Sequence, residues 1–221
     1  MKLRLGRCEV VKTVVQCDFD GTITHKDVSF MILDAFADGD WRQILAEYRE
    51  GKIPVGLFNI KAFAMVKADE QTLLEFVRGK ARARDGFREL LACCEKKGFR
   101  FVIVSNGLDF YIKAILKDMG LDDIEVHAAQ SRFGADGVDV RYIGPDGAQL
   151  EDFFKDAYVR LFQKRGYRVI YVGNGASDIS PARQSHRVFA TGDLLDSCKK
   201  ANLDCTPFAD LNDVIKGLEL L

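Results

Sequence analysis

The hydrophobic pattern of the chain starts with one short apolar run and then changes to helical periodicity. Residues 14–17 are mostly apolar and end abruptly in Asp18-Phe19-Asp20-Gly21-Thr22. This pattern predicts a buried strand with acidic residues at its carboxyl end. Helical patterns then follow without an intervening strand, at 28–37, 41–50, 54–67 and 70–79. The sequence therefore predicts a helical segment inserted after the first strand.

From Gly86 onwards, predicted helices and strands alternate. The strands are expected at 99–104, 124–128, 167–172 and 187–190, and the helices at 87–97, 108–119, 152–165, 178–184, 194–201 and 210–219. Such alternation is typical of a parallel sheet covered by helices. We therefore predict an α/β fold with a doubly wound parallel sheet. Its core is expected at 1–26 and 86–221, and its helical cap at 27–85.

Turn residues are dense between the strand near 126 and the helix at 152. Gly, Asp and Pro occur on both sides of the alternating stretch 138–142. This arrangement predicts a small β-hairpin that leaves the main sheet.

Composition and charge narrow the function classes. Lys and Arg number 32 against 33 Asp and Glu, so the formal net charge is −1. A nearly neutral chain has no overall electrostatic basis for binding nucleic acid or an anionic membrane. The first 12 residues lack the apolar region of a signal peptide, and the chain has no apolar stretch of membrane-spanning length. We therefore expect a cytoplasmic protein without nucleic-acid or membrane partners.

The cysteines support the same compartment. The six residues form no C-x-x-C pair and no Cys/His cluster at zinc-finger spacing; they lie at positions 8, 17, 93, 94, 198 and 205. This distribution favours reduced thiols over disulfides.

Polar residues follow several predicted strands at the point where each one ends. The first strand ends in Asp18 and Asp20, the second is followed by Ser105-Asn106-Gly107, and a later one is followed by residues 173–178. A nearby helix carries Lys155. Ligands of open α/β sheets bind beyond the carboxyl ends of the strands, so these residues are expected to share one site.

The residue types in this set suit phosphate chemistry. A carboxylate can attack phosphorus, and a second acid beside it can protonate the leaving oxygen and later deprotonate water. Two anions that approach a phosphate require positive charge, which Mg²⁺ and the ammonium group of Lys155 supply. Each motif alone has an ordinary explanation as a turn, an N-cap serine or a surface lysine. Their combination favours a phosphatase.

The same motifs resemble those of the haloacid-dehalogenase-like phosphatases. The chain is most similar to the phosphoserine-phosphatase-like branch, in which a helical cap follows the first motif. Within this branch it resembles the phosphatases of methionine salvage in three features: the run 105–111, the interval from Lys155 to Gly173, and the run Phe189-Ala190 followed by residues 193–195. The resemblance covers essentially the whole chain, with four motifs in the family's order.

The resemblance implies roles for the residues at the strand ends. Asp18 is expected to be the nucleophile and Asp20 the general acid and base. The phosphate is expected to be held by Ser105, Asn106, Gly107 and Lys155. The resemblance also implies that the reaction is hydrolysis of a small phosphorylated metabolite. Neither the identity of the substrate nor the oligomeric state follows from the sequence.

The implied metal site is where the chain departs from the family pattern. Mg²⁺ is expected between Asp18, the carbonyl of Asp20 and the loop that contains Asn174 and Asp178. The family usually has an aspartate at the position of Asn174, and an amide oxygen can bind Mg²⁺ without adding negative charge. Three hypotheses stay open: weaker metal binding, direct ligation by Asp178, or an impaired protein that binds phospholigands or acts as a regulator.

The cap sequence bears on the substrate. Phosphoserine phosphatases grip the amino acid with an acidic residue after the first motif and with an arginine of the cap. Asp27 matches the acid, but the stretch 58–63 has no arginine. Phosphoserine is therefore disfavoured, and Asp27 and Lys61 are the predicted substrate contacts of the cap.

Several large apolar side chains of the cap are further candidates for the pocket wall. They are Phe30, Phe36, Trp41, Phe58, Phe63 and Met65. Their helical spacing favours burial inside the cap over contact with a substrate.

Overall fold

Eight strands form one sheet in the computed structural model, which describes residues 11–221. The strands are β1 (Thr13–Cys17), β2 (Arg100–Leu108), β3 (Val126–Gly134), β4 (Gly137–Ile143), β5 (Gln149–Leu150), β6 (Arg168–Gly173), β7 (Arg187–Ala190) and β8 (Thr206–Pro207). Their order is β5-β4-β3-β2-β1-β6-β7-β8, and all neighbours from β3 to β8 in this order are parallel. The predicted α/β fold with a doubly wound sheet is confirmed.

Ten α-helices accompany the sheet in the described part of the chain. They are α1 (Val28–Phe36), α2 (Trp41–Arg49), α3 (Val55–Phe63), α4 (Glu70–Lys80), α5 (Phe87–Lys96), α6 (Asp109–Asp118), α7 (Phe154–Lys164), α8 (Ile179–Arg183), α9 (Gly192–Lys200) and α10 (Leu211–Glu219). A short 3-10 turn at Ala176–Asp178 precedes α8. Helices α1 to α4 follow β1 directly, so the helical insert is present where the pattern predicts it.

Strand β1 lies in the interior of the sheet, and its side chains are buried on both faces. It pairs with β2 on one side and β6 on the other, and Cys17 is in register with Ile103 and Val172. Strands β1 and β6 therefore end almost level with each other, and β2 continues past Ile103 at the same edge of the sheet. The segments that follow them meet at one edge of the sheet.

Strand β2 is longer than predicted. It extends to Leu108 instead of residue 104, so Ser105, Asn106 and Gly107 belong to the strand and do not form a helix start. The pairing with β3 is irregular there: Val104 is opposite His127, whereas Leu108 is opposite Ala129. This bulge keeps the backbone extended while it breaks the ladder, which is why the hydrophobic pattern alone ends the strand too early.

Other predicted boundaries change for similar reasons. Strands β3 and β4 form the predicted hairpin, but β3 is longer because its pairing continues to Gly134. Helix α3 ends at Phe63 instead of residue 67, since Val66 forms an isolated antiparallel bridge with Ala37. The short strand β8 was not predicted from the pattern.

The segments that lead into and out of the four-helix insert run side by side. Thr24 forms an antiparallel bridge with Ala83 between them. The exact division into a core and a cap stays a prediction. The first ten residues, which include Cys8 and most of the segment compared with a signal peptide, lie outside the described residues. Within residues 11–221, no helix has the length and apolar character needed to cross a bilayer, and the five cysteines are free thiols.

Candidate active site

A cavity of about 200 Å³ lies at the carboxyl ends of β1, β2 and β6, with helices of the cap on its other side. Eight of the ten predicted site residues line it: Asp18, Asp20, Asp27, Ser105, Asn106, Gly107, Lys155 and Asn174. Asp178 lies behind the wall and Lys61 lies elsewhere. The structure thus brings together residues that are far apart in the sequence.

A buried ion-pair triad forms the floor of the cavity. The Nζ of Lys155 lies 2.8 Å from Asp18 Oδ2 and 2.6 Å from Asp178 Oδ1, and all three side chains are almost completely buried. Burial alone would lower the pKa of the Lys155 ammonium, but the carboxylates of Asp178 and Asp18 raise it above its usual value. Lys155 is therefore a permanent cation beside Asp18.

The sheet holds Lys155 in this place. The side-chain amide of Gln16, on β1, donates to the backbone carbonyl of Lys155 at 3.0 Å. This bond ties the first turn of α7 to the central strand. The predicted lysine therefore lies over the end of β1 and not on the surface.

Asp178 acts as an anchor within the motif that follows β6. Its Oδ1 also accepts a hydrogen bond from the Tyr171 hydroxyl at 2.6 Å. Its Oδ2 accepts from the backbone amides of Asn174 at 3.0 Å and Gly175 at 2.8 Å. Because both oxygens are bonded to protein donors and the side chain is fully buried, Asp178 fixes the loop and the lysine from behind the cavity.

The Asp18 carboxylate is subject to opposing electrostatic effects. Its Oδ1 accepts from the backbone amide of Phe19 at 2.7 Å. Burial raises the pKa of Asp18, the ammonium of Lys155 opposes the rise, and the charge of Asp178 adds to it. Two carboxylates around one ammonium leave a net negative charge, so an incoming phosphate requires another cation.

Asp20 is held differently, because no salt bridge reaches its carboxylate from residues 11–221. Its Oδ1 accepts from the backbone amide of Val28 at 2.9 Å, and its Oδ2 accepts a short hydrogen bond from the Tyr111 hydroxyl. Burial, followed by the charge of Asp27, raises the pKa of Asp20 well above its usual value. A carboxyl group that retains its proton closer to neutral pH suits a general acid.

The segment of β2 that lies beside the two acids is closely packed. Ser105 is buried, and its hydroxyl accepts from the backbone amide of Gly107 at 3.1 Å. A Cβ atom at Gly107 would collide with the Asp20 carboxylate and the Tyr111 hydroxyl, so only glycine fits there. The backbone carbonyl of Asn106 accepts from two side chains that the sequence did not single out, those of Asn59 at 2.9 Å and Tyr142 at 2.7 Å.

The cap side of the cavity is mainly apolar. Its apolar and aromatic wall consists of Phe30, Leu45, Tyr48, Val55 and Phe58, and Asp27 and Arg49 are its charged members. Two of the six cap candidates therefore reach the cavity. Trp41 and Phe63 are buried in the cap, and Phe36 packs against Phe76.

The two predicted cap contacts have different positions. Asp27 lines the cavity, and its Oδ1 caps helix α1 by accepting from the Phe30 amide at 2.8 Å. Burial raises its pKa to about 6. Lys61 does not reach the cavity: its side chain is 45% exposed and its Nζ lies 3.6 Å from Glu47 Oε2. The placement of Lys61 beside the substrate is corrected, because its helix α3 turns Phe58 and Asn59 towards the cavity instead.

The residues expected around a metal offer oxygen donors only. They are the carboxylates of Asp18 and Asp178, the backbone carbonyl of Asp20 and the side-chain amide of Asn174, whose oxygen accepts from the Thr22 hydroxyl at 2.7 Å. Across residues 11–221, no group of three or more His, Cys, Asp and Glu side chains is arranged to hold a metal ion. Hard oxygen donors fit Mg²⁺, which binds through one or two carboxylates together with substrate phosphate and water. Because Asp178 lies behind the cavity wall, the donors that remain fit Mg²⁺ through the single carboxylate of Asp18.

Tyr111, Asn59, Tyr142, Tyr48 and Arg49 are the site residues that the sequence analysis missed. Tyr111 lies in the run 105–111 but had no predicted role there, and Asn59, Tyr48 and Arg49 come from the insert. Only Tyr111 had a usable signal, because it lies on the first turn of the helix that follows the Ser105 segment.

Comparison with known proteins supports the phosphatase interpretation. A profile described as haloacid dehalogenase-like hydrolase matches residues 15–183. The chain is 30% identical to a 2-hydroxy-3-keto-5-methylthiopentenyl-1-phosphate phosphatase of Geobacillus thermodenitrificans, with 94% of this chain and 96% of the relative covered. It is 27% identical to the phosphatase of the same name in Brevibacillus brevis, with the same shares covered.

Solved structures show the same fold. A substrate-bound phosphoserine phosphatase complex superposes with a TM-score of 0.69 at 20% identity, over 93% of this chain and 98% of that one. The phosphoserine phosphatase of T. onnurineus gives a TM-score of 0.69 at 19% identity, with 96% of each chain covered. At these identities the likeness concerns the fold.

Proposed function

Because the chain belongs to the haloacid dehalogenase-like hydrolases and is a phosphoric monoester hydrolase, we propose that it hydrolyses a small phosphorylated metabolite through an aspartyl-phosphate on Asp18. The observation that carries the proposal is the contrast between two acids in one cavity. Burial raises the pKa of both acids, but the Lys155 ammonium opposes the rise at Asp18, whereas within residues 11–221 no salt bridge reaches Asp20, whose pKa is raised well above its usual value. Asp18 therefore gives up its proton more readily than Asp20, which suits Asp18 to the role of nucleophile and Asp20 to the role of proton donor.

In the first step, a carboxylate oxygen of Asp18 attacks phosphorus, and the bond from phosphorus to the leaving oxygen breaks. The proton on Asp20 passes to that oxygen, which departs as a neutral alcohol. The Lys155 ammonium offsets the negative charge of Asp18 and of the transferred group. The Ser105 hydroxyl and the Asn106 amide would hold the phosphate oxygens, and the Gly107 amide would orient the Ser105 hydroxyl beside them.

In the second step, water attacks the phosphorus atom of the aspartyl-phosphate. Asp20, now a carboxylate, takes the proton of that water, and the bond between phosphorus and Asp18 breaks. Inorganic phosphate leaves, and both acids return to their starting state. The same residue therefore acts as acid and then as base.

Mg²⁺ would be held by the Asp18 carboxylate, the Asp20 carbonyl and the Asn174 amide oxygen. When bound, it would neutralise charge on Asp18 and on the substrate phosphate. Of the hypotheses left open by the sequence, we favour weaker metal binding through Asn174. Direct ligation by Asp178 is less favoured because its oxygens are already bonded to Lys155, Tyr171 and two backbone amides.

The substrate that we propose first is the 2-hydroxy-3-keto-5-methylthiopentenyl 1-phosphate named for the relatives. Its phosphate would bind at the core side of the cavity. Its apolar methylthio end would face Phe30, Leu45 and Phe58 on the cap side. The free thiols support a reducing compartment, so we place the enzyme and this substrate in the cytoplasm.

A phosphorylated amino acid is the second candidate. Asp27 and Arg49 both line the cavity, and this pair offers an anion for an amino group and a cation for a carboxylate. Arg49 lies on α2, outside the stretch 58–63 of the cap. Phosphoserine therefore belongs in the same assay as the first candidate.

The test is phosphate release by the purified protein from both candidates and from 4-nitrophenyl phosphate, with Mg²⁺ and with a chelator. We expect Mg²⁺-dependent turnover, with a higher kcat/KM for the methylthiopentenyl phosphate. Incubation with beryllium fluoride and Mg²⁺ should also form an adduct on Asp18. Tight phosphate binding without any turnover would instead favour the phospholigand-binding or regulatory alternative.

A further inference from the structure

Tyr111 has contacts that the proposed mechanism does not yet use. It is fully buried on the first turn of α6, and its hydroxyl donates to Oδ2 of Asp20. The same hydroxyl lies 2.7 Å from the Ser29 hydroxyl, on cap helix α1. One phenol oxygen therefore connects the acid of the core with the helix that begins the cap.

Asp20 is thereby held at both oxygens. Oδ1 accepts from the amide of Val28, the first residue of α1, and Oδ2 accepts from Tyr111, which is itself bonded to the next residue of α1. The Cα of Gly107 closes the remaining side, because a Cβ there would meet both groups. The carboxyl plane has little freedom to rotate.

We propose that Tyr111 is a positioning residue that, together with Ser29, fixes the orientation of the Asp20 carboxyl group between the core and cap helix α1. The inference rests on the proposed function, in which Asp20 delivers the proton to the leaving oxygen. Proton transfer requires a donor in hydrogen-bond reach and correctly aimed. The Tyr111 hydroxyl orients the Asp20 carboxyl group without contacting the substrate.

The choice of leaving group distinguishes a misoriented Asp20 carboxyl group from general damage to the fold. Phenyl phosphate and 4-nitrophenyl phosphate have nearly the same shape, but phenolate needs a proton to leave far more than 4-nitrophenolate does. The kcat/KM of each substrate covers the steps up to cleavage of that bond and excludes the later attack of water. A weakened proton donor must therefore lower kcat/KM for phenyl phosphate more than kcat/KM for 4-nitrophenyl phosphate.

We expect Tyr111→Phe to lower kcat/KM for phenyl phosphate by about tenfold or more and for 4-nitrophenyl phosphate by no more than about threefold, a fraction of a general acid's usual contribution. Ser29→Ala should give a smaller shift in the same direction. Tyr158→Phe is the matched control, because the Tyr158 hydroxyl is only 3.4 Å from the Ile143 carbonyl and away from Asp20. It should leave the ratio of the two constants unchanged.

Equal losses on both substrates would overturn the proposal, since damage to the fold or to phosphate binding has no leaving-group preference. Crystal structures of the wild type and Tyr111→Phe supply a second readout that does not depend on activity. We expect the Asp20 carboxyl group to turn in the variant, and an unchanged orientation would also overturn the proposal. A wild type without activity on either substrate would reject the proposed function, while the structures would still decide the role of Tyr111.

Discussion

The two sides of the cavity are built on different principles. The core side contains the charged triad of Lys155, Asp18 and Asp178, whose polar atoms are bonded to neighbouring protein groups. The cap side consists mainly of aromatic and aliphatic carbon, including Phe30 and Phe58. A buried charge tolerates little change, because each partner that is removed leaves the others unpaired. An apolar wall tolerates substitutions of similar volume.

This difference suggests that the two sides of the cavity have different functions. The core side fixes the reaction, and the cap side is able to vary in shape and so to select the organic part of the substrate. Variants of the core should therefore lower the rate on every phosphate ester. Variants of the cap should change which ester is preferred, or change stability, more than they change the chemical step.

The largest expected effect is that of Asp18→Asn. An amide cannot form the aspartyl-phosphate, so kcat should fall on the order of 10⁴-fold or more on every substrate. The fold should persist because Lys155 keeps its contact with Asp178. Phosphate release measures the rate, and Asp34→Asn on the exposed face of α1 is the control. A variant with more than about a tenth of the wild-type rate would exclude Asp18 as nucleophile.

Lys155→Met should have the next largest effect and should act on both rate and stability. The substitution leaves two buried carboxylates without a cation, which should lower the free energy of unfolding by about 3 kcal/mol and kcat by about 10²-fold. Urea denaturation and phosphate release measure the two effects.

The matched control is Lys113→Met, which removes an exposed pair with Asp109 on α6. It should cost no more than about 0.5 kcal/mol. If both lysines cost the same, the triad on the core side has no special role, and the contrast between the two sides of the cavity disappears.

The same contrast determines what could be predicted from the sequence. Asp18, Asp20 and Lys155 were found because acids and cations at strand ends have few ordinary explanations in combination, and parallel strands bring their ends together. The hairpin and the helical insert also followed from local pattern. These features depend on residues that are close in sequence or on a simple rule of sheet topology.

The missed residues depend on packing between distant segments. Tyr111 reaches Asp20 across 91 positions, and Tyr142 reaches Asn59 across 83. No periodicity marks such pairs in advance. The position of Lys61 could not be predicted for the same reason, since its orientation depends on how α3 is rotated against the hairpin, and the cap cation that lines the cavity is Arg49.

Asn174→Asp should have a moderate effect that is confined to the metal. The variant adds one negative charge to the proposed donor set, so about tenfold less Mg²⁺ should give half-maximal activity, equivalent to about 1.4 kcal/mol. Activity at saturating Mg²⁺ should change less. Asn202→Asp adds the same charge just after the carboxyl end of α9 and controls for net charge. An unchanged Mg²⁺ requirement would remove Asn174 from the metal site.

The acid of the cap side should affect stability rather than the chemical step. Asp27 has a pKa raised from 3.8 to about 6 by burial, so the folded state binds more protons than the unfolded state between these values. The free energy of unfolding should therefore fall as the pH rises through that window. Asp27→Asn keeps an N-cap acceptor for α1 but has no charge to bury. The variant should match the wild type near pH 4 and exceed its stability by about 1 to 2 kcal/mol near pH 7.

Urea denaturation at several pH values across this window measures the difference between the two proteins. Asp34→Asn, on the same helix but half exposed and paired with Arg42, should show a difference within about 0.5 kcal/mol that does not grow with pH. A stability difference for Asp27→Asn that is the same at both ends of the window would mean that Asp27 is solvated in the folded protein. The cap side would then contain no buried charge at all, and its contrast with the core side would be sharper than the present structure indicates.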